Sequence, residues 1–227
     1  MTQESSHCVT ILYPAGAGLT FNADYYRDHH LPLIMRLYGD SIARFELRTV
    51  DPTPAGAPAP AYAAAINIWI RDFDAFQQHN ETHGPALIAD VANFTNTMPT
   101  IQFDRVQGED GTDRGAMQLG DTCLTILYPN GASVRWDVDY YRRAHMPLIM
   151  RLYGAAAIKR FELRRGESGA PTGAPPYIGC VNIYINDHQA FGAAGVAHGQ
   201  TLIDDVPAFS SVMPTAFATT IHGIGGA

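Results

Sequence analysis

Several features that mark membrane, secreted or nucleic-acid-binding proteins are missing from this sequence. No apolar run reaches the roughly 18 residues of a membrane-spanning helix, and the first residues lack the basic and apolar pattern of a signal peptide. The net charge of −7 disfavours binding to nucleic acid or to an anionic membrane surface. The sequence therefore predicts a protein that binds neither nucleic acid nor membranes.

Cysteine is scarce, and the familiar metal and nucleotide motifs are missing. The three cysteines, Cys8, Cys123 and Cys180, show no CxxC or Cys/His spacing. We expect them to be reduced and buried, as in a cytoplasmic protein. The sequence has no HExxH pair, no P-loop and no GxGxxG after a strand, so it predicts neither a metal nor another cofactor.

The main feature that is present is an internal repeat. Residues 22–39 and 137–154 lie 115 positions apart and are identical at 13 of 18 positions, and residues 9–14 return as 124–129. With 46% hydrophobic and 16% charged residues, each copy has the composition of a folded domain. We therefore predict one domain at 1–106, a linker at 107–120 and a second domain at 121–227.

Each copy contains the same series of predicted strands and helices. In the first copy, Pro32 is expected to kink the first helix, and Gly84-Pro85 is expected to interrupt the second. The predicted elements of this copy are strands at 8–13, 42–50, 62–70 and 97–106, helices at 23–38 and from 72 onward, and a Pro/Ala/Gly loop at 51–60. Those of the second copy are strands at 123–128, 157–165, 177–185 and 212–221, helices at 138–153 and 187–199, and a Pro/Gly loop at 166–176.

The order β-α-β-β-α-β is that of ferredoxin-like domains, so the predicted fold class is α+β. A four-stranded sheet with both helices on one side leaves its other face bare. We predict that the two tandem repeats cover these faces for each other, packed sheet to sheet as an intrachain α+β barrel pseudo-dimer. Further pairing of chains into a homo-oligomer is compatible with this arrangement.

The first helix of each copy carries a motif that resembles a known family. Tyr-Tyr-Arg-x-x-His-x-Pro-Leu after a Leu-Tyr-Pro strand is similar to the EthD family of the dimeric α+β barrel superfamily, and residues 90–95 resemble the family's C-terminal half. The resemblance covers nearly all of both copies. Because most members are single domains that pair into dimers, it implies that this chain is a fused pair. The family includes proteins of ether and aromatic degradation, lactone isomerases and polyketide-tailoring enzymes, and many of its members are cofactor-free.

The strongest candidates for catalysis are two histidines on the first helices. His30 and His145 each lie about one turn after a tyrosine, Tyr26 and Tyr141 respectively. A histidine beside a phenol can take and return a proton at a carbon next to a carbonyl. The alternative is structural, with each imidazole donating to a backbone carbonyl that the nearby proline leaves unpaired. Both interpretations are open from sequence alone.

Other candidates have stronger structural alternatives. His83 and His198, in the second helices, are catalytic candidates that can instead satisfy terminal carbonyls of a helix. Asn67 interrupts an apolar strand, where its amide can bind a substrate carbonyl or a neighbouring loop. Asp90 and Asp205 are interpreted as turn caps rather than bases. The candidate substrate-binding residues are Tyr13, Asn67, Trp69, Tyr128 and Asn182.

These residues predict a cofactor-free enzyme that uses histidine-centred acid/base chemistry on a small apolar carbonyl, phenolic or lactone compound. It would act as an isomerase, cyclase or lyase in catabolism or secondary metabolism. His30 would move the proton, and Tyr26 and Asn67 would orient the substrate oxygen. The alternatives are a cofactor-independent oxygenase or other oxidoreductase on a similar substrate, and a non-catalytic small-molecule-binding or structural barrel protein. In the enzymatic and binding alternatives the expected partner is a small apolar or aromatic metabolite.

The two copies differ at two positions near these candidates. His29 corresponds to Ala144, and Asn93 corresponds to Ala208. The differences favour the first copy as the one that keeps a working site, with the second copy as its cover.

Overall fold

The computed structural model describes residues 6–51, 59–111, 117–170 and 173–226, which form a mixed α+β fold. The strands are β1 (His7–Pro14), β2 (Ile42–Val50), β3 (Tyr62–Ile70), β4 (Thr100–Asp110), β5 (Thr122–Pro129), β6 (Ile158–Gly169), β7 (Tyr177–Ile185) and β8 (Thr215–Gly226). The helices are α1 (Ala23–Tyr25), α2 (Leu31–Tyr38), α3 (Phe73–Asp90), α4 (Val138–Tyr140), α5 (Met146–Ala157) and α6 (His188–Phe209). Counting α1–α2 and α4–α5 as one helix each, the series β-α-β-β-α-β occurs twice along the chain.

The chain divides into two compact units. The first comprises Met1–Phe103, Gln118–Gly120 and Thr219–Ala227, and the second comprises Asp104–Met117 and Asp121–Ala218. The end of β8 therefore belongs to the first unit, and the end of β4 belongs to the second. The predicted sheet-to-sheet packing of the two repeats stays a prediction.

The sheet of the first unit has β3 at its centre. β1 and β2 pair with β3 on either side, and residues 219–226 of β8 pair with the other edge of β2, all antiparallel. Because side chains alternate along a strand, Ile66 and Ile68 of β3 lie on one face and Asn67 on the other. The isoleucine face packs against α2 and α3 and forms the hydrophobic core, to which Leu31 and Phe76 contribute.

The second unit repeats this pattern. β7 pairs antiparallel with β5 and β6, and the end of β4 lies beside β6. Its core contains Val181 and Ile183 of β7 together with Ile149 of α5 and Phe209 of α6. All three cysteines are buried, as predicted. Within the described ranges, no helix combines the length and the apolar character needed to cross a bilayer.

The first helix of each repeat contains a π turn instead of the predicted proline kink. The turn spans Tyr26–His30, and the Leu31 amide donates to the carbonyl of Tyr26, five residues back. Pro32 then falls in the first turn of α2, where a missing N–H costs little. The second repeat has the same turn at Tyr141–His145. Such turns are frequent at functional sites because they re-aim side chains without ending the helix.

The predicted interruption of the second helices is wrong. α3 continues through Pro85 to Asp90, and α6 continues through Pro207 to Phe209, beyond the predicted end at 199. Both prolines lie on the exposed side of their helices. A carbonyl that loses its partner to proline there can bind water, so the helix continues.

Some strand limits also differ from the sequence prediction. β4 extends to Asp110, into the predicted linker, and β6 extends to Gly169, into the predicted Pro/Gly loop. β8 begins at Thr215 rather than 212. The other parts of the predicted loops and linker at 52–58, 112–116 and 171–172 lie outside the described residues.

Candidate active site

The π turn of the first unit places a histidine and a tyrosine side by side at the hydrophobic core of that unit. The side chain of His30 is 5% exposed, and its ring centroid lies 4.8 Å from that of Tyr26. Phe94, just after α3, packs against both rings, at 4.7 Å from His30 and 5.0 Å from Tyr26. His30 is therefore held on the helix side of the sheet, in an aromatic environment.

Asp90, the last residue of α3, fixes one nitrogen of this histidine. The Nδ1 atom of His30 lies 2.7 Å from Oδ2 of Asp90. Tyr25 and Asn93 donate to the other carboxylate oxygen, at 3.0 and 2.7 Å. A carboxylate at a helix C-terminus is unfavourable with respect to the helix dipole. These three donors offset that cost and hold Asp90 in one orientation.

The electrostatics of this pair favour a neutral imidazole beside a carboxylate. Burial raises the pKa of Asp90, but its hydrogen bonds from His30, Asn93 and Tyr25 outweigh burial and bring the pKa below its usual range. Burial lowers the pKa of His30, and Asp90 offsets only part of this effect. Because an ionised carboxylate only accepts hydrogen bonds, Nδ1 of His30 must carry the proton. Nε2 is then the nitrogen with a free lone pair.

A second phenol lies beside Tyr26. Tyr13, at the end of β1, has its ring 5.9 Å from Tyr26 and 5.7 Å from Phe94. Burial raises the pKa of Tyr13 and of Tyr26 well above 10, so both phenols stay protonated. The Tyr26 hydroxyl is fully buried beside the Tyr13 phenol.

The second unit contains a closely similar arrangement. Nδ1 of His145 lies 2.7 Å from Oδ2 of Asp205, and the Tyr140 hydroxyl donates to Oδ1 at 3.0 Å. Burial lowers the pKa of His145, with Asp205 opposing part of the effect. The hydroxyl of Tyr141 is buried beside the Tyr128 phenol. Asn93, which donates to Asp90 in the first unit, corresponds to Ala208, so Asp205 lacks this third donor.

The aromatic rings of the second unit also follow the first, with Tyr128 in the place of Tyr13. Its ring lies 6.1 Å from that of Tyr141 and 5.7 Å from that of Phe209. Trp136 takes the place of Phe21 and lies 4.3 Å from Tyr128. The two sites therefore share their polar centre and differ in the size of the surrounding side chains.

The structure separates Asn67 and Trp69 from the histidine site. Both lie on the sheet face opposite the helices, where Arg48 donates to the amide oxygen of Asn67 and the amide nitrogen donates to Thr10 at 3.0 Å. The guanidinium of Arg44 lies over the Trp69 ring. The predicted joint action of His30 and Asn67 on one substrate oxygen therefore has no geometric support. The sheet lies between them.

Asn182 in the second unit is the counterpart of Asn67. It accepts from Thr125 at 3.2 Å, again on the face away from α5 and α6. The predicted histidines of the second helices are also apart from the dyads. His83 is half-buried and stacks on His79 at 5.9 Å, and His198 is half-buried on α6. Among the described residues, neither His83 nor His198 forms a hydrogen bond with His30 or His145. The Nδ1 atoms of His30 and His145 bind Asp90 and Asp205 instead.

A surface cleft of about 590 Å³ opens beside the first dyad. Asn93 and Phe94, which contact Asp90 and His30, form part of its wall. The other residues of the cleft come from 20–24 and 92–96, with His222 of β8 at its edge. Among the described residues, no group of three His, Cys, Asp or Glu is arranged to hold a metal ion.

Sequence reasoning interpreted Asp90 and Asp205 as turn caps, and it missed their contacts with the histidines and with Tyr25 and Tyr140. Asp90 lies 60 residues after His30, so helical spacing along one element gives no sign of their contact. The internal repeat does carry a signal. Tyr25 and Asp90 are retained as Tyr140 and Asp205, whereas His29 next to them is not retained.

Comparison with known proteins identifies the family of the first repeat. The EthD domain family matches residues 20–98, which confirms the resemblance predicted from the helix motif. None of the curated proteins compared with the chain matches it.

Solved structures share the fold. An EthD-like protein from Ralstonia eutropha JMP134 is 24% identical over 44% of this chain and 91% of its own, with a TM-score of 0.41. An anthrone oxidase-like protein is 10% identical over 100% of this chain and 95% of its own, with a TM-score of 0.57. A variant of chlorite dismutase from Candidatus Nitrospira defluvii is 11% identical over 96% of this chain and 92% of its own, with a TM-score of 0.55. At these identities, the last two establish the shared α+β fold alone.

Proposed function

We propose that the protein is a cofactor-free enzyme that transfers a proton at carbon on a small, largely apolar carbonyl or phenolic compound. The observation that carries the proposal is the buried imidazole of His30, fixed by Asp90 through Nδ1 and repeated as His145 with Asp205. A neutral imidazole held in this way exposes one lone pair, at Nε2, to a proton of the substrate.

In the proposed reaction, Nε2 of His30 removes a proton from a carbon next to a carbonyl or phenol. Asp90 stabilises the resulting imidazolium through the hydrogen bond to Nδ1. The hydroxyl of Tyr26, which stays protonated because its pKa is raised by burial, donates to the substrate oxygen as negative charge develops there. Return of the proton to another carbon gives isomerisation, and loss of a leaving group gives a lyase reaction.

The surroundings of the dyad favour an apolar and aromatic substrate. The rings of Phe94, Tyr26 and Tyr13 pack around His30. An aromatic wall provides stacking and a low-dielectric surrounding but few charged contacts, so it selects against strongly charged substrates. A cytoplasmic location is part of this proposal, because the sequence has three cysteines and no spacing typical of a disulfide framework.

A second candidate is a cofactor-independent oxygenase. The motivation is the match of the anthrone oxidase-like structure to 100% of this chain. The same base would form an enolate or phenolate, and O₂ would accept its electrons. A methylene group then becomes a carbonyl as one molecule of O₂ is consumed and one of water is released. Oxygen uptake, measured with an anaerobic control, distinguishes this reaction from isomerisation.

Deuterium exchange tests the proton-transfer step without requiring the natural substrate. We expect the protein to accelerate exchange of the acidic carbon-bound hydrogens of anthrone or α-tetralone in D₂O, followed by NMR. Because the neutral form of His30 is the base, the rate should be constant above pH 6.5 and should fall at lower pH, with a midpoint below that ordinary histidine value. Exchange no faster than in buffer, combined with binding that survives loss of both histidines, would instead indicate a carrier.

A further inference from the structure

We infer that the cleft of the first unit binds a hydroxylated aromatic compound, and that Arg135 closes the corresponding place in the second unit. The choice of ligand rests on the proposed function. The inference itself concerns binding, and it can be tested without turnover. It predicts one binding site per chain although the histidine–aspartate pair occurs twice.

The cleft is large enough for a small molecule and adjoins the dyad. Its volume of about 590 Å³ lies within the range of about 300–1,000 Å³ typical of ligand sites. Asn93 forms part of the wall and donates to Asp90 at 2.7 Å. Phe94 forms another part, and its ring lies 4.7 Å from that of His30. A ligand in the cleft therefore touches the residues that position both members of the dyad.

The wall of the cleft combines aromatic surface with hydrogen-bond acceptors. The half-buried Phe21 supplies aromatic surface, and the ring of the buried Phe94 lies 6.0 Å from it. Arg27 and His222 both reach Oδ1 of Asp24, at 2.9 Å each, so Oδ2 of this carboxylate is available to accept from a ligand. The amide nitrogen of Asn93 is used by Asp90, which leaves its carbonyl oxygen as an acceptor. Acceptors beside aromatic rings fit an aromatic ring that carries hydroxyl donors.

In the second unit, an arginine side chain lies across the equivalent place. Arg135 occupies the position of Thr20, and its guanidinium donates to the carbonyls of Ala208 and Pro207 at 2.9 and 2.5 Å. These residues correspond to Asn93 and Ala92 of the cleft wall. The side chain therefore spans the region that is open in the first unit.

Other replacements in the second unit act in the same direction. Val138 is larger than its counterpart Ala23. Ala208 lacks the carbonyl acceptor that Asn93 supplies in the first unit. At these two positions the second unit therefore has a bulkier side chain and lacks one acceptor, while it keeps its dyad.

Calorimetric titration with naphthoresorcinol tests the inference. We expect one molecule bound per chain, and weaker binding of its dimethyl ether, which lacks the hydroxyl donors. Thr20→Arg copies the natural arginine of the second unit and should weaken binding by about tenfold or more. Arg135→Thr should leave the first site intact.

Three results would overturn the inference: no binding by the wild-type protein, two equivalent sites per chain, or unchanged affinity in a folded Thr20→Arg variant. Circular dichroism and thermal unfolding of each variant establish that it is folded. The same titration with His30→Gln separates the two proposals. Retained binding with lost deuterium exchange in His30→Gln supports both proposals. If His30→Gln exchanges normally while Thr20→Arg loses binding, only the proton-transfer role of His30 is contradicted.

Discussion

Replacement of both His30 and His145 with glutamine is expected to lower the rate of carbon-bound proton exchange by about 10²–10⁴-fold, the usual contribution of a positioned acid/base group. Glutamine retains a side-chain amide that can donate to the aspartate, but it cannot take up a proton at neutral pH. The loss should therefore appear in kcat, with little change in KM. The measurement is deuterium exchange on anthrone across a range of concentrations.

His29→Ala is the matched control for this experiment. His29 is exposed and adjoins His30, and the second repeat has Ala144 at the same position. We expect its exchange rate to equal that of the wild type. If a folded double glutamine variant kept the full rate, the histidines would have no role in proton transfer.

Replacement of Gly179 with alanine is expected to destabilise the protein by about 1–3 kcal/mol, the usual cost of an overpacked core position. A Cβ atom at Gly179 would lie 2.4 Å from a ring carbon of Trp136, well inside contact distance. The backbone of Gly179 has no positive φ, so the expected cost comes from this contact. Chemical denaturation followed by circular dichroism measures the change in the free energy of unfolding.

The first unit supplies the compensating pair for this test. Phe21 and Ala64 occupy the positions of Trp136 and Gly179. The double variant Trp136→Phe with Gly179→Ala should therefore lose less free energy of unfolding than the two single variants lose together, by about 1 kcal/mol or more. Strict additivity would contradict the contact between these two residues.

Much of the element order could be predicted from local patterns. β2 and β3 begin and end at the predicted residues, because alternating and β-branched residues mark them clearly. The continuity of α3 through Pro85 could not be predicted, since it depends on the exposure of that side of the helix. The π turn at Tyr26–His30 has no separate sequence signal, but it sets where Pro32 falls in α2.

The candidate site could be predicted only in part. His30 and Tyr26 were found because they share one helix and its spacing. Asp90 lies on another element, and its contact with His30 depends on how α3 packs. The alternation of β3 correctly grouped Asn67 with Trp69, but it did not show which face of the sheet the helices cover.

The protonation state of the two dyads gives the most direct test of the account. Nitrogen-15 NMR of the histidine rings, recorded as a function of pH, reports both the tautomer and the pKa of His30 and His145. The account predicts neutral rings with the proton on Nδ1 and pKa values below 6.5, because burial lowers both. Rings protonated on Nε2, or rings that stay imidazolium well above pH 6.5, would contradict the assignment of Nε2 as the base.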